Sequence, residues 1–236
     1  MKGRLRYRSL LPVYLCLLSG VLLLTMFGSR AVTVMTVNAP IENRKTVIID
    51  AGHGGVDGGA ISCTGISESA INLEIALKLN DLMHLIGIQT IMIRETDVSV
   101  YTKGETIAQK KISDLKERVR IVNSTPGAIL VSIHQNHFTD DRYSGAQVFY
   151  APTEGSQSLA ESLQNTLVNA VNPTSNRRIK KASGVYLMQH AQCPAVLVEC
   201  GFLSNKNEEY KLRTKEYQQK ICTVIACCIS NQLFSA

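Results

Sequence analysis

The chain has 236 residues, 25 of them basic and 19 acidic, with a formal charge of +6 and 45% apolar content. The charge is concentrated at one end. Residues 1–41 hold Lys2, Arg4, Arg6, Arg8 and Arg30 and no acidic residue, leaving 20 basic against 19 acidic in the rest. That near balance excludes an electrostatic nucleic-acid binder and suits one globular domain of roughly 190–200 residues behind an N-terminal extension.

In chain order, the four basic residues precede an apolar run from Leu10 to Phe27, broken by Pro12, Ser19, Gly20 and Thr25. Residues 1–28 therefore read as a signal peptide or a membrane anchor. The cleavage site Ser29-Arg30-Ala31 is poor and Pro40 follows Ala39, which favours the uncleaved anchor. The basic flank then holds the N-terminus in the cytoplasm and the domain outside. Residues 29–45 read as a linker and 46–236 as the folded domain.

From residue 46 apolar runs alternate with helical patterns. Thr46–Ala51 reads as a strand. Ser67 can cap a helix to about Ile86, closed by Gly87, with Ile71, Ile75, Leu79, Leu82 and Ile86 as its inner stripe. Ile88–Ile93 reads as a strand, Glu95–Lys110 as a loop and Ile112–Val122 as a helix. Ala128–Ile133 and Ala146–Tyr150 read as strands, and Ser156–Val171 as an amphipathic helix. Asn172–Ser183 reads as a flexible basic loop. Its Arg177, Arg178, Lys180 and Lys181 are solvated in this reading, within reach of an anionic polymer. Tyr186–Met188 reads as a short strand, Ala195–Val198 as a strand, and Glu208–Leu233 contains the last helix. This alternation predicts an α/β fold: a twisted, mostly parallel mixed sheet flanked by helices on both faces. Seven cysteines without a Cys-x-x-Cys pair argue against a zinc ribbon, and the later ones read as buried free thiols.

Four residues stand out chemically. His53 lies in a loop with Gly52, Gly54, Gly55, Gly58 and Gly59, which can turn sharply and bring backbone close to a ligand. That loop lacks the Gly-Lys-Ser/Thr ending of a phosphate cradle. Glu68 precedes Ile71 and Ile75 by three and seven residues, so it shares the buried stripe of its helix. His134 ends the run Ile129-Leu-Val-Ser-Ile, and Glu199 ends Ala195-Val-Leu-Val. A buried polar side chain at the end of an apolar strand is costly without a partner. Ligands of α/β sheets bind beyond the carboxyl ends of the strands.

Two imidazoles and a carboxylate converging from separate elements suit a zinc ion: His53, Glu68 and His134. Glu199 would then serve as the catalytic base, taking a proton from water and returning it to a leaving amine. A salt bridge from Glu199 to Arg94 or Arg118 is the structural alternative. Asp50 is expected to orient His53, and Asn136 to contact substrate. His137 ranks below His134 because it would point away if the strand continued. His84 reads as a surface residue and His190 as a loop residue. Cys200, beside Glu199, reads as a packed small residue rather than a nucleophile.

The segments Ile49-Asp-Ala-Gly-His53-Gly-Gly, Glu68, Arg94, Ser132-Ile-His-Gln-Asn136 and Pro194-Ala-Val-Leu-Val-Glu-Cys-Gly-Phe-Leu-Ser-Asn205 resemble the zinc-dependent N-acetylmuramoyl-L-alanine amidases. The resemblance covers roughly residues 46–233 and is closest to the germination-specific, spore-cortex members. It implies Zn2+ on His53, Glu68 and His134, with Glu199 catalytic. It also implies hydrolysis of the amide between the lactyl group of N-acetylmuramic acid and L-alanine of the peptidoglycan stem, in muramic δ-lactam formation during sporulation. Many wall amidases carry an arginine where Tyr186-Leu-Met188 stands here. The chain shows no wall-binding repeat, which leaves room for an accessory protein. Rival readings are a zinc peptidase cutting within the stem peptide, an inactive wall-binding domain and a partner-dependent peptidoglycan-binding protein.

Overall fold

The computed structural model describes residues 45–234. The N-terminal segment and most of the linker lie outside the described residues. Six strands form one sheet in the order β2-β1-β3-β6-β4-β5. They are β1 (Val47–Ala51), β2 (Thr90–Met92), β3 (Ile129–Asn136), β4 (Gln147–Tyr150), β5 (Lys180–Lys181) and β6 (Ala195–Phe202). The β2-β1-β3-β6 ladders are parallel, β4 runs antiparallel to β6, and β5 is parallel to β4. The predicted α/β sheet is therefore present. Among the described residues no helix is long and apolar enough to cross a membrane.

The helices are α1 (Glu68–Leu85), α2 (Ile107–Asn123), α3 (Ser156–Val171), α4 (Tyr186–His190), α5 (Lys206–Leu212) and α6 (Lys215–Phe234). Two buried clusters cover the two faces of the sheet. One joins Ile49, Val131 and Val198 to Ile75, Leu163 and Ile225 of α1, α3 and α6. The other joins Ile48, Leu130 and Leu197 to Val122 of α2 and to Leu187 and Met188 of α4. Strands buried on both sides explain the unbroken apolar runs of β1, β3 and β6.

Several elements differ from the sequence expectation. Helix α2 starts at Ile107, inside the predicted loop, because Thr106 and Gln109 form a reciprocal capping box. Ser67 occupies the N-cap position of α1 with extended backbone, yet its hydroxyl caps nothing. Tyr186–Met188 is the start of a short helix rather than a strand: its Leu187 and Met188 fill the second cluster, and Tyr186 stacks on His190 at 4.0 Å. Lys180–Lys181, within the predicted loop, pairs with Phe149 and Tyr150. The last helical region is two helices, broken at Arg213 and Thr214, and Asn205 caps the first of them. Strands β3 and β6 continue through His134 and Glu199 instead of stopping before them.

Candidate metal centre

The glycine loop after β1 is fixed by two buried arginines. Arg94 donates to the carbonyls of Ala51 (2.8 Å), Gly52 (3.0 Å) and Ser69 (2.9 Å). Arg118 donates to Ala51 O (3.1 Å) and His53 O (2.8 Å) and is itself held by Asp50 and Asp114. Thus neither arginine reaches Glu199. His53 has φ 61°, the one non-glycine residue with positive φ among the described residues. The clamp on its carbonyl offsets that strain and aims the ring inward.

At two glycines the site side chains themselves leave no space for a Cβ. A Cβ on Gly52 would lie 2.2 Å from His134 Nε2, and one on Gly59 would lie 2.7 Å from Glu68 Oε2. The loop backbone therefore passes directly against the side chains it serves.

His53, Glu68 and His134 come together from β1's loop, the first turn of α1 and the end of β3. One donor atom from each lies within 4.8 Å of the others, a group able to hold a metal ion. Glu68 is the bridge. Its Oε1 meets His134 Nδ1 at 3.0 Å and accepts from Gln135 N and Asn72 Nδ2, while Oε2 meets His53 Nε2 at 3.3 Å and accepts from Ala60 N. Burial alone would raise its pKa, but the two imidazoles overcome that and hold the carboxyl well below its usual range. His53 is opposed by burial and favoured by Glu68 and Asp57, which together raise its pKa to about 9.

The outer partner of His53 is a correction to the sequence reading. Asp50 does not touch the His53 ring; it accepts from Ser132 Oγ (2.6 Å) and pairs with Arg118. Asp50 thus acts on the loop backbone through Arg118. The carboxylate on the His53 ring is Asp57, 3.0 Å from Nδ1, steadied in turn by Lys111 at 2.7 Å. Sequence reasoning missed Asp57, although its position four residues past a ligand in a glycine loop was a usable signal. It also missed Asn72, one turn after Glu68, which ties Glu68 to Gly52 O. His137 is exposed and lies outside the cluster.

Glu199 is the direct partner of His134 across the parallel β3–β6 ladder. Its Oε2 is buried and has no hydrogen-bond partner. Burial pushes this carboxyl up to about 7, against the pull of the imidazoles. Asn136 ends β3 half-buried after a register shift, and its side chain makes no hydrogen bond among the described residues. Beside the imidazoles a cavity of about 180 Å³ is walled by Val56, Leu115, Val185, Leu187 and Leu197. The six described cysteines are unpaired, with Cys200 buried.

The N-acetylmuramoyl-L-alanine amidase family model matches residues 47–231. The chain belongs to that family. The germination-specific N-acetylmuramoyl-L-alanine amidase of Bacillus subtilis (strain 168) is 34% identical over 77% of this amidase and 76% of its own length. The CwlD amidase of Clostridioides difficile, solved in complex with the GerS lipoprotein, is 40% identical with a TM-score of 0.78, covering 81% of this amidase and 100% of that chain. A second N-acetylmuramoyl-L-alanine amidase, from Clostridium difficile 630, is 31% identical with a TM-score of 0.72, covering 82% and 98%. The four residues singled out above all fall within the matched span. Membership makes this chain a peptidoglycan amidase.

Proposed function

We propose that this peptidoglycan amidase is zinc-dependent and cleaves the bond between the lactyl carbonyl of N-acetylmuramic acid and L-alanine of the stem peptide. His53, Glu68 and His134 would hold the ion, a donor set of two imidazoles and one carboxylate that suits zinc. When bound, zinc would supply Lewis acidity, lowering the pKa of water toward about 7 and polarising a carbonyl. Glu199 is the proton carrier in this reading. Its carboxylate accepts a proton from the attacking water and delivers it to the nitrogen of the departing alanine. The observation that carries this role is the buried, unpartnered Oε2 of Glu199, one strand across from His134. A buried oxygen without a protein partner at this spot is a cost that a passing proton explains. Asp57 keeps the His53 ring in one tautomer through Nδ1, and the two arginines keep the loop from relaxing. Asn136, with an uncommitted amide, contacts substrate.

The likeness to germination-specific amidases supports a role in spore-cortex maturation, including the step toward muramic δ-lactam. The neighbour's complex with a lipoprotein supports an exported accessory protein as partner. The basic and apolar residues 2–27 support membrane anchoring.

The test is product analysis. Purified protein is incubated with peptidoglycan, with and without a chelator, and with zinc restored. The expected product is glycan bearing free lactyl groups beside intact stem peptides, lost on chelation and regained with zinc. Fragments cut inside the stem peptide, or turnover indifferent to chelation, would sink this reading.

A further inference from the structure

The reaction above leaves one large feature unused. A trough of about 520 Å³ opens on the β4 side of the sheet rim, walled by Tyr143, Gln147, Arg177, Arg178 and Lys180 among others and by no acidic side chain. Gln147 is the ladder partner of Glu199 across β4–β6. The trough therefore borders the strand next to the one that bears the proposed proton carrier.

Its cations are in different states. Arg142 is closed off by Asp140 at 2.7 Å. Arg177 is built into the wall: Nε donates to Ser144 O (2.6 Å), Nη1 donates to Gln147 Oε1 (2.9 Å), and the guanidinium lies 4.5 Å over the Phe202 ring. Arg178 and Lys180 are exposed and form no ion pair among the described residues. A fixed guanidinium beside two uncommitted cations, in a wall without carboxylates, is a surface short of negative charge. The face of Tyr143, stacked on Phe202 at 6.2 Å, gives the same trough a flat apolar side.

We propose that this trough binds the carboxylates of the stem peptide, on the leaving-group side of the scissile amide. The assignment rests on the reading of Glu199 given above. A group that protonates the departing nitrogen must lie close to the first residue of the peptide, and the trough lies along the strand next to Glu199. The charge argument is independent. N-acetylated sugars carry no net charge once the lactyl group is amidated, whereas a stem peptide brings several carboxylates. The anion that matches the trough is the peptide, and the two uncommitted cations, Arg178 and Lys180, set the preference for its acidic form.

The experiment measures binding rather than turnover. Full-length, zinc-loaded protein in detergent is titrated by calorimetry with two free stem peptides, one bearing its carboxylates and one with them converted to carboxamides. The wild-type protein is expected to prefer the carboxylate form by about tenfold, from two to three partly exposed ion pairs. The preference should disappear in Arg178→Ala/Lys180→Ala, persist in Arg178→Lys and shrink with added salt. Matched melting temperatures show that the variants are folded, and Lys180→Gln alone gives a milder second variant. Equal affinity of the wild type for both peptides, or a preference that survives removal of both cations, overturns the proposal. So does a glycerol-phosphate polymer that takes over the charge dependence while the peptides show none. Because no bond is cleaved, an intact preference in a protein that fails to hydrolyse peptidoglycan would sink the reaction alone and leave the trough standing.

Discussion

The parallel strands β2-β1-β3-β6 and the β4–β5 edge meet along one ladder and follow different physics. In the parallel half nearly every position of β1, β3 and β6 is buried, and the exceptions to an apolar side chain there are Asp50, Ser132, His134, Gln135, Asn136 and Glu199. Each exception bears on chemistry or on its support. At the edge β5 is two exposed lysines and β4 ends half-buried. There the charged side chains meet solvent and are free to select among ligands. The parallel half holds geometry fixed, and the edge supplies discrimination.

This contrast can be broken first at its centre. His134→Ala should abolish both metal content, read by elemental analysis, and hydrolysis, with a rate loss on the order of 10⁴-fold or more. Glu199→Gln should keep one metal per chain while kcat falls by about 10²–10⁴-fold. An active Glu199→Gln protein would remove the proton carrier from the account. Asp57→Asn should leave the fold intact and weaken metal binding by roughly 10–100-fold in chelator competition, because it loosens the His53 ring. In the second buried cluster, Met188→Ala in α4 should cost about 2–5 kcal/mol in denaturant unfolding with no change in metal content. A Met188→Ala protein that lost its metal would show that the packing of that cluster and the metal centre are not separable.

The smallest effect is a pH dependence. Burial opposes ionisation of Asp50, but Arg118 and Ser132 hold its pKa below the ordinary 3.8. A depressed folded-state pKa adds stability above the unfolded value and withdraws it as pH falls through the folded one. Asp50→Asn should therefore flatten the acid limb of the melting-temperature curve below about pH 4, relative to the wild type.

Legibility in the sequence follows the same division. The strands of the parallel half announce themselves as unbroken apolar runs, because helices cover both faces. His134 and Glu199 are conspicuous because polarity there is expensive. The edge has no such signal. Lys180–Lys181 pairs through backbone alone, which no side-chain pattern records. The strand expected at Tyr186–Met188 is instead a helix because Leu187 and Met188 are drawn into the second cluster, a tertiary demand invisible in a three-residue window. The start of α2 was readable from Thr106 and Gln109. The partner of Asp50 was not, since Arg118 arrives from 68 residues away.

The position of β6 has a consequence for assembly. It is the last strand in sequence but sits third from one end of the sheet, between β3 and β4. A nascent polypeptide carrying only its first two-thirds could already gather His53, Glu68 and His134. It would expose the bare edge of β3 and lack Glu199. On the proposed assignment of the site, such a fragment would capture a cation, remain hydrolytically silent and be prone to edge-to-edge association, so catalytic competence would arrive with the insertion of the final strand.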